Sequence, residues 1–484
     1  MTPTEPAVPD PTEPDPTPAT AHPTPTALPG TLPGTAELRR RTAGVFPGVR
    51  ADLEALVRIP SVSNADFDAA HVEASAAAVA DLLRGVGMDD VQVLRARRPD
   101  GREGAPAVVA RRPGPAGAPT VLLYAHHDVQ PPGDDAAWST PPFEPTLVGE
   151  RLHGRGAADD KAGVVAHVGA LRVLADDLGV GVTVFVEGEE EVGSPTFVPF
   201  LQAHRELLAA DVIVVADSSN WRIGVPGLTT SLRGLVDCTV EVAVLDHAVH
   251  SGMYGGPVLD APTLLARLLA TLHDEAGDVA VAGLVHAPDP AVDLDEDQLR
   301  ADAGVLPGVR LAGTGPLTAG MWTRPAISVI GLDAPRVATA SNTLTPRATA
   351  KLSVRIAPGQ DPAAAMAALR AHLEGHAPFG AHVHVVEGEQ GKPFRAPEDS
   401  TAMRAARWAF AEAWGTEPVD IGIGGSIPFI ADLLEAYPSA AILVTGVEDP
   451  DSRAHGADES VHLGELEKVV LAEALLLARL AAER

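Results

Sequence analysis

The 484-residue sequence holds a single cysteine, Cys238, which excludes a disulfide framework and a cysteine-built zinc cage. A reducing cytoplasm fits that shortage of thiols. Lysine is also scarce, four residues among 36 bases, which reads with the abundant Ala, Gly and Pro as a coding bias. The bases face 65 Asp and Glu, leaving a net charge of −29. Phosphate-bearing partners reward Lys and Arg, so neither nucleic acid nor a membrane surface is an expected partner. No run approaches the roughly 18 consecutive apolar residues of a spanning helix. The N-terminal segment lacks the basic start and the apolar run of about 7–15 residues that mark a secretory signal. What remains, 45% hydrophobic and 21% charged, is a globular composition. Residues 1–33 differ: eleven prolines stand among Thr, Ala, Glu and Asp. Such a segment buries too little apolar surface to offset its ordering entropy and is expected to be a disordered tail.

Folding signals begin near Glu37. Apolar spacing predicts helices over Leu38–Arg58, with a break at Pro47–Gly48, and over Ala70–Arg84. Short Val-rich runs at Val91–Leu94, Ala107–Ala110, Val121–Tyr124, Val182–Glu187 and Val212–Ala216 read as strands. Helical patterns at Lys161–Ala175 and Thr196–Leu208 separate them, which predicts a largely parallel sheet covered by helices. After Leu228 the pattern changes. An alternating strand at 234–244 and a helix at 260–274 precede an Asp-rich connection. Strands at Ile327–Gly331 and Ala348–Ala357, a helix after Pro362 and a strand at His382–Glu387 follow. That order resembles a ferredoxin-like split unit inserted in the first domain. The parent pattern resumes near Pro393. The expected class is thus α/β, a mixed, mostly parallel sheet sandwiched by helices, with an inserted ferredoxin-like α+β domain. The expected boundaries are a tail at 1–35, a first domain at 36–228 and 392–484, and the insert at 229–391.

Five weak signals lie near strand ends. His126-His127-Asp128 follows VLLYA, and the two-residue spacing lets His126 and Asp128 point one way and His127 the other. Asp159-Asp160 sits in a Gly-rich loop opening a helix, where alone it would read as a capping pair. Glu189-Glu190-Glu191 ends a strand, and three adjacent carboxylates repel unless cations or solvent intervene. Asp217 ends VIVVA, and His455 follows AILVTG. Any one of these is ordinary loop chemistry. Together, in an open parallel sheet whose ligands bind beyond the carboxyl ends of the strands, they make two imidazoles and three carboxylates. That donor set suits zinc, cobalt or manganese, and it leaves Glu190 free for proton transfer. Cys238, between apolar neighbours on an alternating strand, reads as a buried structural thiol.

The motifs YAHHDVQPP, GRGAADDKAG, EGEEEVGS, VVADSSNW, AVHSGMYGG, GGSIPF and RAHGADE, in that order over about residues 37–484, resemble a known family. It is the cocatalytic metallopeptidase family of carnosinase-type dipeptidases, carboxypeptidase G, aminoacylase and succinyl-diaminopimelate desuccinylase, and the HDVQP and HSGMYGG forms are most similar to the dipeptidase branch. The resemblance implies two divalent metal ions per chain, zinc first, with cobalt or manganese as alternatives. His126 and Asp217 would hold one ion, Glu191 and His455 the other, and Asp159 would bridge. Asp128 would orient His126, and Glu190 would be the general base. The inserted domain would act as a lid and build a homodimer, carrying His250 to the partner's active site as an oxyanion donor. Arg355 would bind a substrate carboxylate, while Asn342 and the Gly424-Gly425-Ser426 loop would line the pocket. The expected activity is hydrolysis of dipeptides or short peptides. An N-acyl-amino-acid amidohydrolase with the same centre, and a metal-silent binding protein, are the alternatives.

Overall fold

Pro47 does not break the first helix. In the computed structural model, which describes residues 33–98, 100–397, 399–425 and 428–483, one helix runs Thr35–Val57 straight through it. An interior proline costs about 3 kcal/mol. Leu38, Val49, Leu53, Leu56 and Val57 are all buried on this helix, each contributing about 1.5–3 kcal/mol, and their sum outweighs the proline. The helix starts at Thr35, the last residue assigned to the tail, and residues 1–32 lie outside the described residues.

The principal sheet has nine strands. Its centre is parallel: Gly181–Glu187, Thr120–His126, Val212–Val215 and Ala441–Val444 run side by side in that order. Gly181–Glu187 is buried along its whole length, as a continuous apolar run between two covered faces must be. Antiparallel strands flank the centre, Ala107–Arg112 and Asp90–Leu94 on one side and Gly227–Leu232 on the other. Val419–Ile423 and Phe394–Arg395 both pair with Gly227–Leu232. That strand straddles residue 228, the expected boundary between the first domain and the insert. Thr35–Val57, Lys161–Leu174, Leu463–Ala482 and Thr401–Trp414 pack together as one group of helices. Phe197–Ala203 and Pro428–Ala436 pack together beside a ring cluster of Tyr124, Phe185, Phe197 and Phe429.

A second sheet has four antiparallel strands in the order Ala326–Asp333, Arg347–Ile356, Gly234–Ala243, His382–Gly391. With helices Ala261–Ala270 and Pro362–Gly375 this is the ferredoxin-like arrangement read from the sequence. Its alternating residues Val236, Cys238, Val240 and Val242 are buried in a hydrophobic cluster separate from the main one. Burial pushes the Cys238 thiol up to about 11, which suits an inert core residue.

A third sheet of three strands has no counterpart in the sequence pattern. Thr146–Val148 and Arg151–His153 form a hairpin, and Ser460–His462 pairs with its second strand. Three-residue strands are too short to show a period. This small sheet brings the loop of His455 against the loop of Asp159. Among the described residues no helix is long and apolar enough to cross a membrane.

Candidate metal centre

The carboxyl ends of the parallel strands converge. His126 is the last residue of its strand, Asp217 lies two residues past Val212–Val215, and Glu190 and Glu191 follow Gly181–Glu187. Asp159 precedes the helix Lys161–Leu174, and the Asp159–Asp160 peptide is cis. His126 Nε2 is 3.0 Å from Asp159 Oδ1, and His455 Nε2 is 3.0 Å from Asp159 Oδ2. His455 Nε2 is also 3.3 Å from Glu191 Oε2. Two groups of donors result, His126–Asp159–Asp217 and Asp159–Glu191–His455, with the ligand atoms of each within 4.8 Å of one another. Asp159 is common to both.

Electrostatics show what this cluster needs. Burial, then neighbouring carboxylates, pushes Asp217 up to about 7 and Glu190 up to about 8. Asp159 and Glu191 lift His455 to about 11. Burial opposes charge on His126, yet Asp128 and Asp159 hold its pKa well above the ordinary imidazole value. Glu448, not foreseen, adds to the excess: burial and then Asp159 and Asp217 raise its carboxyl well above the usual range. Asp217, Glu190 and Glu448 are thus driven toward neutrality and the imidazoles toward cations, while His126 and His455 hold the Asp159 carboxyl below the usual range against its burial. Divalent ions would supply that positive charge directly, and mixed imidazole–carboxylate ligation suits zinc, cobalt or manganese. The residues fit two such ions.

The surrounding residues explain how the ligands are held. Asp128 accepts from the amides of Glu190 and Glu191 at 3.2 and 3.1 Å. Its backbone oxygen is 3.1 Å from His126 Nδ1 and its carboxylate 3.5 Å, so it holds both the imidazole and the glutamate turn. His127 points away, its Nε2 donating to the Pro106 carbonyl at 2.9 Å, and burial lowers it to about 4. Gln130 donates to both Glu191 oxygens, at 3.0 Å from its amide and 2.8 Å from its side chain. Asp160 caps Lys161–Leu174 through Gly163 N at 3.2 Å and also accepts from His126 N at 3.1 Å. The capping role read for this pair thus belongs to Asp160 alone. Gln130 and Asp160 stood inside the quoted motifs, but only contacts across the sheet reveal their work.

His250 lies on a two-stranded ribbon, Val249–His250 with Thr343–Leu344, between strands of the four-stranded sheet in sequence, and is exposed. Its Nδ1 accepts from Gly252 N at 3.0 Å, capping the short helix Ser251–Tyr254. Asn342 is its neighbour, since Ser251 N donates to Asn342 O at 2.9 Å and His250 pairs with Thr343. Arg355 is half-buried, beside Leu235 and Ala326, with no ion pair among the described residues. Arg233, which sequence reading missed, donates from Nε to Gly424 O at 3.0 Å and anchors the glycine loop. Gly425 is half-buried, and Ser426 lies outside the described residues. Among the described residues no hydrogen bond or ion pair joins His250, Asn342, Arg355 or the glycine loop to the five ligands.

A parallel sheet with clustered imidazoles and carboxylates at its strand ends defines a metallohydrolase. The chain belongs to peptidase family M20/M25/M40, whose model matches residues 122–479. It is 37% identical over 367 residues to a cysteinylglycine-S-conjugate dipeptidase of Corynebacterium striatum, covering 74% of this chain and 81% of that one. A beta-Ala-His dipeptidase of Rattus norvegicus is 29% identical over 413 residues, covering 80% and 83%. The crystal structure of human carnosine dipeptidase 1 superposes with a TM-score of 0.71 at 25% identity, covering 93% of this chain and 99% of that one. The chain is accordingly a hydrolase of the metallopeptidase type.

Proposed function

We propose that the chain is a zinc-dependent dipeptidase with two ions per subunit, hydrolysing dipeptides or short peptides that carry a free carboxylate. The observation that carries this reading is Asp159, shared by two donor groups, with Glu190 beside Glu191 but in neither group. His126 and Asp217 would hold one ion, Glu191 and His455 the other, and Asp159 both. Such ions supply Lewis-acid polarisation and a water acidic enough to react near neutral pH.

Glu190 takes a proton from the attacking water and later delivers it to the departing amine. Asp128 keeps Glu190 in place through its amide and His126 in its orientation. Arg355, with no ion pair among the described residues, clamps the substrate carboxylate bidentately. Asn342, Gly424 and Gly425 line the same pocket. His250 donates to the oxyanion that develops on the scissile carbonyl, from a partner subunit in a homodimer built by the four-stranded unit. The exposed apolar side chains Val329, Ile330 and Leu332 on its edge strand support that pairing. The single, buried Cys238 fits a cytoplasmic setting.

Metal analysis together with a panel of dipeptides and N-acyl-amino acids tests the reading. Two equivalents of zinc and preferential turnover of dipeptides support it. Preferential turnover of acyl-amino acids makes the chain a deacylase with the same centre. Full turnover at zero bound metal overturns the metal reading.

A further inference from the structure

Glu459 is a carboxylate near the centre with no exposed surface, and it lies four residues beyond His455. Its Oε1 accepts from the amides of Ala158 and Asp159 at 2.9 and 3.1 Å. Its Oε2 accepts from Gly156 N at 3.1 Å and from the Arg155 guanidinium at 2.5 Å. Four donors therefore meet one side chain. Only a carboxylate offers acceptors on both oxygens, because an amide would turn its NH2 toward a donor. Arg155 is 1% exposed, so each charge is the other's compensation.

The same residues stitch two loops together. Arg155 also donates to Gly456 O at 3.0 Å, next to His455, and Gly154 N donates to Glu459 O at 2.9 Å. The ladder continues with Ser460 opposite His153. The loop so held is a conformationally costly one: Arg453, His455 and Asp458 have φ of 56°, 63° and 61°, a region non-glycine residues rarely occupy. Such a backbone persists where its surroundings over-determine it. One buried ion pair thus reaches the amide of the shared ligand on one loop and the neighbour of a second ligand on the other.

We propose that Glu459, with Arg155, is the positioning residue of the metal centre, fixing Asp159 and setting its distance from His455. The inference rests on the two-ion reading above. Glu459 has no lone pair to spare for a metal; it acts through the peptide groups it holds. Because Asp159 is common to both donor groups, disturbing the clamp weakens both ions, whereas loss of His455 weakens one.

The test compares Glu459→Gln with the double variant Arg155→Met/Glu459→Gln, which removes both buried charges where the single variant leaves Arg155 unpaired. Glu473→Gln, which breaks another buried pair with His167, is the control. Zinc affinity is measured by competition titration, and hydrogen–deuterium exchange of residues 154–160 is followed in the metal-free chains. Both test variants should bind each zinc about 10–100-fold more weakly, the usual effect of losing a residue that supports a metal ligand. Their 154–160 amides should exchange faster, while Glu473→Gln lowers the melting temperature and leaves zinc affinity unchanged. If Glu459→Gln loses its fold, the double variant carries the same comparison. Wild-type zinc affinity or unchanged exchange in a folded test variant overturns the inference alone. A wild-type chain that takes up no zinc overturns the two-ion reading and this inference with it.

Discussion

Two adjacent glutamates divide the work of the site. Glu191 stands 3.3 Å from His455 and is gripped by Gln130, while Glu190 belongs to neither donor group. The short helical turn Glu190–Val192 makes the difference, because neighbouring residues there point in different directions. Glu190→Gln should keep zinc content near wild type and lower turnover by about 100-fold or more, the scale of a positioned acid–base. Glu191→Gln should lose zinc instead. Atomic absorption beside steady-state kinetics checks both, and the opposite pattern would swap the two roles. His127 shows how little composition alone says. It adjoins a proposed ligand, yet its bond to Pro106 O takes it out of the site.

Among the elements, Lys161–Leu174 carries two tests. Gly169 lies in its middle, where propensity alone favours alanine by about 1 kcal/mol. A Cβ there would meet Val470 at 2.9 Å and Val49 at 3.0 Å, from the two helices packed against it. Overpacking costs about 1–3 kcal/mol, so Gly169→Ala should destabilise the chain, read as a lower urea midpoint. The second test is pH. His167 Nδ1 is 2.8 Å from Glu473 Oε2 and its Nε2 is 3.1 Å from Tyr124 O, so both ring nitrogens donate and the ring is a cation. Burial works against that charge, but Glu473 raises the pKa above the ordinary 6.5. The folded chain therefore binds a proton more tightly than the unfolded one. The stabilisation is complete below 6.5 and is lost as pH rises through the folded value. Urea midpoints from about pH 6 to 9 should fall for wild type and less steeply for His167→Gln. Equal slopes would remove His167 from the account.

For the whole molecule, the proposed dimer makes a sharp prediction. His250 sits on a two-stranded ribbon that lies in sequence between strands of the four-stranded sheet, and the proposed metal ligands lie on loops of the nine-stranded and three-stranded sheets. Its Nδ1 is spent on a local cap, which leaves Nε2 to reach elsewhere. Mixing inactive His250→Ala chains with inactive Glu190→Gln chains, under conditions of subunit exchange, should restore activity. If His250 serves the partner's site, a heterodimer has one site with both defects and one with neither. If it serves its own chain, each site keeps one defect and no activity returns. A monomer by light scattering with full turnover would also end the idea.

Local pattern carried much of this molecule. Val-rich runs and helical spacing were enough for the parallel centre and the ferredoxin-like unit, because burial on two faces or one face writes itself into neighbouring residues. The donors His126, Glu191, Asp217 and His455 were legible for the same reason, since each follows an apolar run that marks a strand, whereas Asp159 lies in a Gly-rich loop before a helix. What the tertiary structure alone decided depends on residues distant in sequence. Thr35–Val57 stays whole across Pro47 because other helices bury its apolar face. Gly227–Leu232 joins the large sheet because Ala441–Val444 and Val419–Ile423 flank it. The small sheet, the Gln130 grip on Glu191 and the clamp of Glu459 on Asp159 are contacts between loops, the last across 300 residues. No periodicity records such a contact. Its free energy exists only once the chain has brought the two loops together and excluded the water that would otherwise satisfy their polar groups.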